Sequence, residues 1–253
     1  MAGKSYAAFA AALLAQEVGD CRRPMRIAEI FHSRQGEGLL TGQPSAFVRT
    51  SGCNLRCWFC DTPYTSWEPE GEDLSLDDIL ARVDAYAATH TVLTGGEPML
   101  FAELVPLTSA LRDRGLHITI ETAGTLDLPV ACDLMSISPK LVGSAPDVAW
   151  HAAWHRRHER TREALDVVRR LVERYEYQLK FVIDAPADVQ EVERYLGRLA
   201  VDVDRSRVLL MPQGTDLDEL AAKGLWLEAL CGELGMRFCP RRHIEWYGLV
   251  RGT

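Results

Sequence analysis

The chain has 253 residues, 47% of them hydrophobic, and a formal net charge of −8. That length and apolar content suffice for one full core, and α/β barrels commonly reach this size as one domain. The acidic balance argues against general nucleic-acid affinity, which needs clustered positive charge. No apolar run approaches the ~18 residues of a membrane span, and the run Ala7 to Ala15 lacks signal-peptide flanks, so a cytoplasmic protein is expected.

Residues 1–24 are alanine-rich, with Tyr6, Phe9, Leu13 and Leu14 at helical spacing, and end at Arg22-Arg23-Pro24. They read as a helical extension to a core domain over 25–253. From Met25 onward, β-rich runs recur at Arg26 to Phe31, Ala46 to Arg49, Thr91 to Leu93, His117 to Glu121, Leu134 to Ser138, Gln178 to Ile183, Val208 to Met211 and Met236 to Cys239. Between them, Ser75 with Asp78 three residues on marks a helix start, and Glu103 to Arg114, Glu163 to Arg174, Ala187 to Leu199 and Asp216 to Glu233 are amphipathic. Strands alternating with helices predict βαβ units, a mostly parallel sheet, and chemistry at the strands' carboxyl ends. Gly143 to Arg170 departs from this alternation, with His151, His155 and His158 among arginines, Trp150 and Trp154. It reads as a solvated, partly helical connection, since no carboxylate or cysteine stands there at ligand spacing.

Three of the seven cysteines fall in Cys53-Asn-Leu-Arg-Cys57-Trp-Phe-Cys60. An odd number so unevenly spaced suits a metal centre in a reducing compartment, not a disulfide framework. Cys21, Cys132, Cys231 and Cys239 then read as ordinary thiols. A structural zinc site would require a fourth ligand, whereas a cluster held by three cysteines leaves one iron open. A zinc site completed by a distant residue and a redox pair Cys57/Cys60 remain alternatives.

The Cys-x3-Cys-x2-Cys spacing, with Phe59 before the last cysteine and Asp61-Thr62 after it, resembles the cluster loop of the radical S-adenosylmethionine (SAM) superfamily. Leu93-Thr94-Gly95-Gly96-Glu97-Pro98 at a predicted strand end resembles that superfamily's site for the SAM amino group. Glu121-Thr122, Ser138-Pro139-Lys140 and Met211-Pro212-Gln213 place further polar groups at strand ends. The ordered set from Gln35-Gly36-Glu37-Gly38 and Arg49, through Cys60 to Thr62, Gly95 to Pro98, Glu121 to Thr125 and Ser138 to Lys140, to Lys180-Phe181-Val182 resembles the 7-carboxy-7-deazaguanine synthase family over roughly residues 25–253.

That resemblance implies a partial, incomplete TIM-type barrel and conversion of 6-carboxy-5,6,7,8-tetrahydropterin to 7-carboxy-7-deazaguanine with loss of ammonia. It implies a 4Fe-4S cluster on Cys53, Cys57 and Cys60, and SAM against Phe59, Cys60, Asp61, Gly96, Glu97, Ser138, Pro139, Lys140 and Gln213. Mg2+ is expected on the hydroxyl of Thr62, an oxygen ligand suited to a hard cation. Substrate contacts are expected from Arg34, Gln35, Gly36, Glu37, Thr94 and Thr253, with Arg49 pairing a carboxylate through its planar guanidinium. The tail is expected to close over the substrate, with His243 close by in sequence. A homodimer and a flavodoxin- or ferredoxin-type electron donor are further implications. No catalytic acid or base stands out. The rivals are an activase that takes hydrogen from a partner protein's glycine, which has no need of Arg49 or the Gln-Gly-Glu-Gly loop, and a zinc-binding interaction protein.

Overall fold

The computed structural model describes residues 23–253. The helix expected over residues 1–24 therefore lies outside the described residues, apart from Arg23 and Pro24. The elements are β1 (Met25–Arg34), β2 (Pro44–Thr50), α1 (Pro63–Ser66), β3 (Glu72–Leu74), α2 (Leu76–Asp84), β4 (His90–Gly95), α3 (Leu104–Asp113), β5 (His117–Thr122) and β6 (Leu134–Ile137). They continue with α4 (Val148–Arg162), α5 (Leu165–Arg174), β7 (Tyr177–Ile183), α6 (Pro186–Leu199), β8 (Val208–Pro212), α7 (Leu217–Leu234), β9 (Arg237–Phe238) and α8 (Arg242–Tyr247).

All the expected strands form. Unforeseen is β3, a three-residue edge strand with Glu72 and Asp73 exposed, too short to show an alternation in sequence. The sheet order is β3-β1-β2-β4-β5-β6-β7-β8-β9. β1 runs antiparallel to β2 and β3, and from β2 onward each neighbouring pair is parallel. Among the described residues β3 and β9 do not pair, so the curved sheet stays open as an incomplete barrel.

Period-two alternation assigns the two faces of the strands. On β7, Leu179, Phe181 and Ile183 are fully buried and join Val168, Leu171, Val192 and Leu199 of α5 and α6 in the main core. The Phe181 and Tyr195 rings meet edge to face at 5.5 Å. Side chains of this kind each contribute roughly 1.5–3 kcal/mol by leaving water. The intervening residues Lys180 and Val182 line a cavity on the concave face together with Ser136 and Met211. The core therefore sits under the helices, while the inner face is free to carry polar groups.

Local signals set the helix ends. Ser75 caps α2 by accepting from the Asp78 N–H at 3.2 Å, while Asp78 takes the Ser75 N–H, so the expected capping box is present. The Gly143 to Arg170 excursion is mostly helix: α4 is kinked at His151, where φ is −136° and ψ 43°, and α5 follows after Glu163 and Ala164. Among the described residues no helix is long and apolar enough to cross a membrane.

Candidate active site

A cavity of about 400 Å3 opens at the carboxyl ends of the parallel strands. Cys53, Cys57, Phe59, Cys60, Asp61, Thr62, Gly96, Ser138, Lys140 and Gln213 all border it, as do Arg34, Gln35, Gly36, Glu37, Arg49, Thr94 and Thr253. The fold thus brings together residues spread from 34 to 253. Two expected SAM contacts are placed elsewhere. Glu97 is fully buried and does not border the cavity, and Pro139 borders a smaller recess with Trp58 and Asp188.

The Glu97 carboxylate accepts from the N–H groups of Met99 at 3.1 Å and Ala123 at 2.8 Å, and from the Thr122 hydroxyl at 2.9 Å. Burial raises its pKa, and these bonds partly oppose that shift. Its work is to tie the end of β4 to the end of β5. The neighbouring glycines serve close backbone approach: a Cβ on Gly95 would lie 2.2 Å from the Thr50 carbonyl oxygen, and one on Gly96 2.2 Å from that of Gly52. Gly95 also has φ +133°, a conformation side chains resist. The Gly-Gly turn therefore holds the root of the cysteine loop against β4.

The loop itself is clamped from outside. The Arg56 guanidinium donates to the carbonyls of Cys53 at 2.8 Å and Leu55 at 2.7 Å and lies over the Trp154 ring at 3.9 Å. The Arg56 N–H donates to His158 Nδ1 at 3.2 Å, which leaves the proton on Nε2, 2.9 Å from the Ser144 hydroxyl. Ser144 in turn donates to the Leu141 carbonyl at 2.6 Å, so each donor has an acceptor. Trp67 Nε1 donates to the Cys57 carbonyl at 3.0 Å. Within the excursion, His158 thus holds the loop.

Burial pushes the Cys53 thiol up to about 11 and the Cys57 thiol to about 12, so these sulfurs become thiolates only when a cation takes the proton's place. Among the described residues no three His, Cys, Asp or Glu side chains are grouped tightly enough for a single metal ion. The three thiols instead border a space, which fits a polynuclear cluster whose cysteines attach to different irons. Cys60 Sγ lies 3.2 Å from the Ser66 hydroxyl and 3.8 Å from that of Thr62, the N-cap residue of α1.

Opposite the cysteines lies a chain of alternating charges. Glu37 meets Lys180 Nζ at 2.5 Å and Arg241 Nε at 3.1 Å, with His243 Nδ1 at 3.7 Å. Lys180 is 3.6 Å from Glu121, which accepts from the Thr94 hydroxyl at 2.7 Å, and Arg241 also pairs with Asp61. Burial by itself would raise the Glu37 pKa, but the charges of Lys180 and Arg241 outweigh it and hold the carboxyl well below the usual range. Gly36 is required by packing here: a Cβ would lie 2.5 Å from that of His243. The Gly36 carbonyl accepts from the Arg242 N–H at 2.9 Å, which docks the β1–β2 loop on α8.

Arg49 faces Glu29 across the β1–β2 pair and donates Nε to it at 2.6 Å. Tyr64 donates to the same oxygen at 2.8 Å, and Arg251 Nε is 3.5 Å from the other. Arg251 also pairs with Glu70 at 2.8 Å and lies over the Tyr64 ring at 4.2 Å, so residues 249–253 line the cavity. Arg34 is stacked over Trp246 at 4.3 Å and donates to Tyr247 at 3.0 Å. Gln35 donates its amide to Ser45 at 3.0 Å. Lys140 donates to the carbonyl and hydroxyl of Ser138, both at 2.7 Å, and the Gln213 carbonyl accepts from Lys223 at 2.8 Å.

Glu29, Tyr64, Arg241 and Arg251 escaped sequence reasoning. The one available signal was positional: Glu29 lies in a predicted strand, and an acidic side chain there must face a polar interior or solvent.

The chain matches the Radical SAM superfamily over residues 47–185. It is 44% identical over 243 residues to a 7-carboxy-7-deazaguanine synthase from Rhodopirellula baltica, covering 94% of each chain. A relative of the same name from Halobacterium salinarum is 45% identical over 227 residues, covering 86% of this chain and 88% of its own. The crystal structure of QueE from Escherichia coli aligns with a TM-score of 0.64 at 26% identity, covering 90% of this chain and 98% of that one.

Proposed function

The chain belongs to the 7-carboxy-7-deazaguanine synthase family of the radical SAM superfamily, and from that premise we propose how its own residues serve the reaction. It converts 6-carboxy-5,6,7,8-tetrahydropterin to 7-carboxy-7-deazaguanine with loss of ammonia. The observation that carries the assignment of roles is that one cavity is bordered by the three cysteines, by Gly96 and by Glu37, Arg49 and Thr94.

When bound, a 4Fe-4S cluster and SAM supply hydrogen-abstracting radical chemistry that no side chain can provide. Cys53, Cys57 and Cys60 would hold the cluster. Phe59, Asp61, Gly96, Ser138, Lys140 and Gln213 would bind SAM, while Glu97 acts at one remove by fixing the Gly95-Gly96 turn. Thr62 would offer its hydroxyl to Mg2+, beside the loop's last cysteine.

Arg49 pairs the substrate carboxylate, oriented by Glu29 on its Nε side. Glu37, kept ionised by Lys180 and Arg241, retains acceptor capacity for pterin N–H groups, since a carboxylate offers about four lone-pair positions. Gly36, Gln35 and Arg34 form the edge beside it. Thr94 is held by Glu121 and offers its oxygen to the ring. Residues 249–253 cover the mouth and exclude water, Thr253 among them. A reductant must supply an electron, and we assign that role to a flavodoxin- or ferredoxin-type carrier; a homodimer is the proposed assembly.

The test is an anaerobic assay of the iron- and sulfide-reconstituted protein with dithionite, SAM, Mg2+ and 6-carboxytetrahydropterin, following product by mass. Formation of 7-carboxy-7-deazaguanine is expected. SAM cleavage without any deazapurine would retain the superfamily chemistry and remove the substrate assignment.

A further inference from the structure

The excursion between β6 and β7 has a role beyond holding the cysteine loop. In a chain of net charge −8, α4 carries exposed Arg156, Arg157 and Arg160. Among the described residues none of the three forms an ion pair, and Arg157 lies only over the Trp154 ring, at 5.1 Å. The nearby acids are occupied: Glu159 pairs with Arg162 at 2.8 Å, Asp147 caps α4 through the Ala149 N–H, and Glu163 pairs with Arg198 at 2.7 Å. Trp150, at the start of the same helix, is 82% accessible, and Trp58, 51% accessible, is tied to α4 through Ser144, whose carbonyl accepts the Trp58 N–H at 3.2 Å while its hydroxyl lies 2.9 Å from His158 Nε2. Tryptophan and arginine are residue types that protein interfaces favour.

The surface also leads directly to the cysteines. Trp58 follows Cys57 in the chain, and its ring N–H donates to the Gly143 carbonyl at 2.8 Å. The Trp67 ring, 4.8 Å from that of His151, donates to the Cys57 carbonyl. We propose that α4 and Trp58 form the docking surface for a small one-electron carrier protein with an acidic face. The carrier is oxidised by one electron and the cluster reduced by one, with no proton or bond exchanged. This rests on the proposed reaction, which needs that electron.

The experiment uses the cluster-loaded protein and purified flavodoxin. Three quantities are read: binding of oxidised flavodoxin by surface plasmon resonance at low and high salt, the rate of cluster bleaching by reduced flavodoxin, and turnover driven by dithionite. Charge reversal at Arg156→Glu, Arg157→Glu and Arg160→Glu should weaken binding and slow bleaching by about tenfold or more, because charges at an interface rim govern association. Dithionite-driven turnover and the KM for the pterin should not change. Wild-type binding should weaken as salt rises.

Unchanged flavodoxin binding in the variant, or wild-type binding indifferent to salt, would overturn the proposal. A variant whose oligomeric state shifts while flavodoxin binding holds would reassign the surface to self-association. If the triple variant loses its visible absorbance, the set Arg156→Gln, Arg157→Gln and Arg160→Gln replaces it, with the same criteria. Absence of dithionite-driven turnover in the wild type would instead count against the proposed reaction, so the two failures are separable.

Discussion

Glu29 and Arg49 stand opposite each other on antiparallel strands, and the carboxylate fixes the guanidinium through Nε at 2.6 Å. Both side chains are largely withdrawn from solvent, at 12% and 17% accessibility, so the pair is an oriented device and not a surface ornament. Glu29→Gln keeps the shape and removes the charge. The expected outcome is a rise of about tenfold in KM for the pterin with kcat changed by about twofold or less, as befits lost binding in ground and transition state alike. Steady-state kinetics would contradict this if kcat fell and KM held.

Cys57→Ala should abolish the cluster's visible absorbance and all SAM cleavage, since two thiolates from this loop cannot replace three. Thr62→Ala should leave the absorbance intact and weaken only the activation by Mg2+. An equal loss of absorbance in both variants, measured after identical reconstitution, would remove Thr62 from the role of Mg2+ ligand.

His158 gives a pH signature. Its Nδ1 accepts from Arg56, and burial lowers its pKa from 6.5 to about 4. The unfolded chain therefore binds more protons in that interval, so this residue's contribution is present above 6.5 and is lost as pH falls toward about 4. The melting temperature of His158→Gln should depend less on pH over that window than the wild type's. Identical slopes in thermal melts would show that the loop clamp does not titrate.

Lys180 is buried between Glu37 and Glu121. Lys180→Met removes one of the two cations holding Glu37 ionised, and breaking such a buried pair from one side costs ~3–5 kcal/mol. Denaturant titration should show that loss, and the double variant Glu37→Gln with Lys180→Met should recover part of it. A double variant as unstable as the sum of the single changes would mean that the two residues act independently.

Arg251 anchors residues 249–253 at the cavity wall through Glu29, Glu70 and the Ala28 carbonyl. Arg251→Ala should speed proteolysis of that segment and raise KM for the pterin, while the cluster absorbance stays unchanged. Cleavage kinetics equal to the wild type's would show that other contacts hold the tail.

Much of this protein can be read along the chain, because its chemistry is partly local. Cys53, Cys57 and Cys60 lie within one loop, so their spacing alone marks a candidate metal or redox centre. The strands reveal themselves by β-rich runs, and their ends point to Thr94, Glu121 and Ser138 at one rim. The position of Glu97 is not legible in this way: a carboxylate in a glycine turn can face the cavity or the adjacent strand, and nothing local distinguishes them.

By itself the sequence determined the loop of three cysteines, the alternation of strands and helices, and the strand ends on which they meet. The tertiary structure decided which groups face which: Glu29 with Arg49 and Arg251, Glu37 with Lys180 and Arg241, and the Arg56 backbone N–H with the His158 ring. The physical reason is separation along the chain. A cysteine loop is held together by covalent bonds, whereas Glu37 and Arg241 meet only because an open barrel brings the β1–β2 loop against the segment leading into α8.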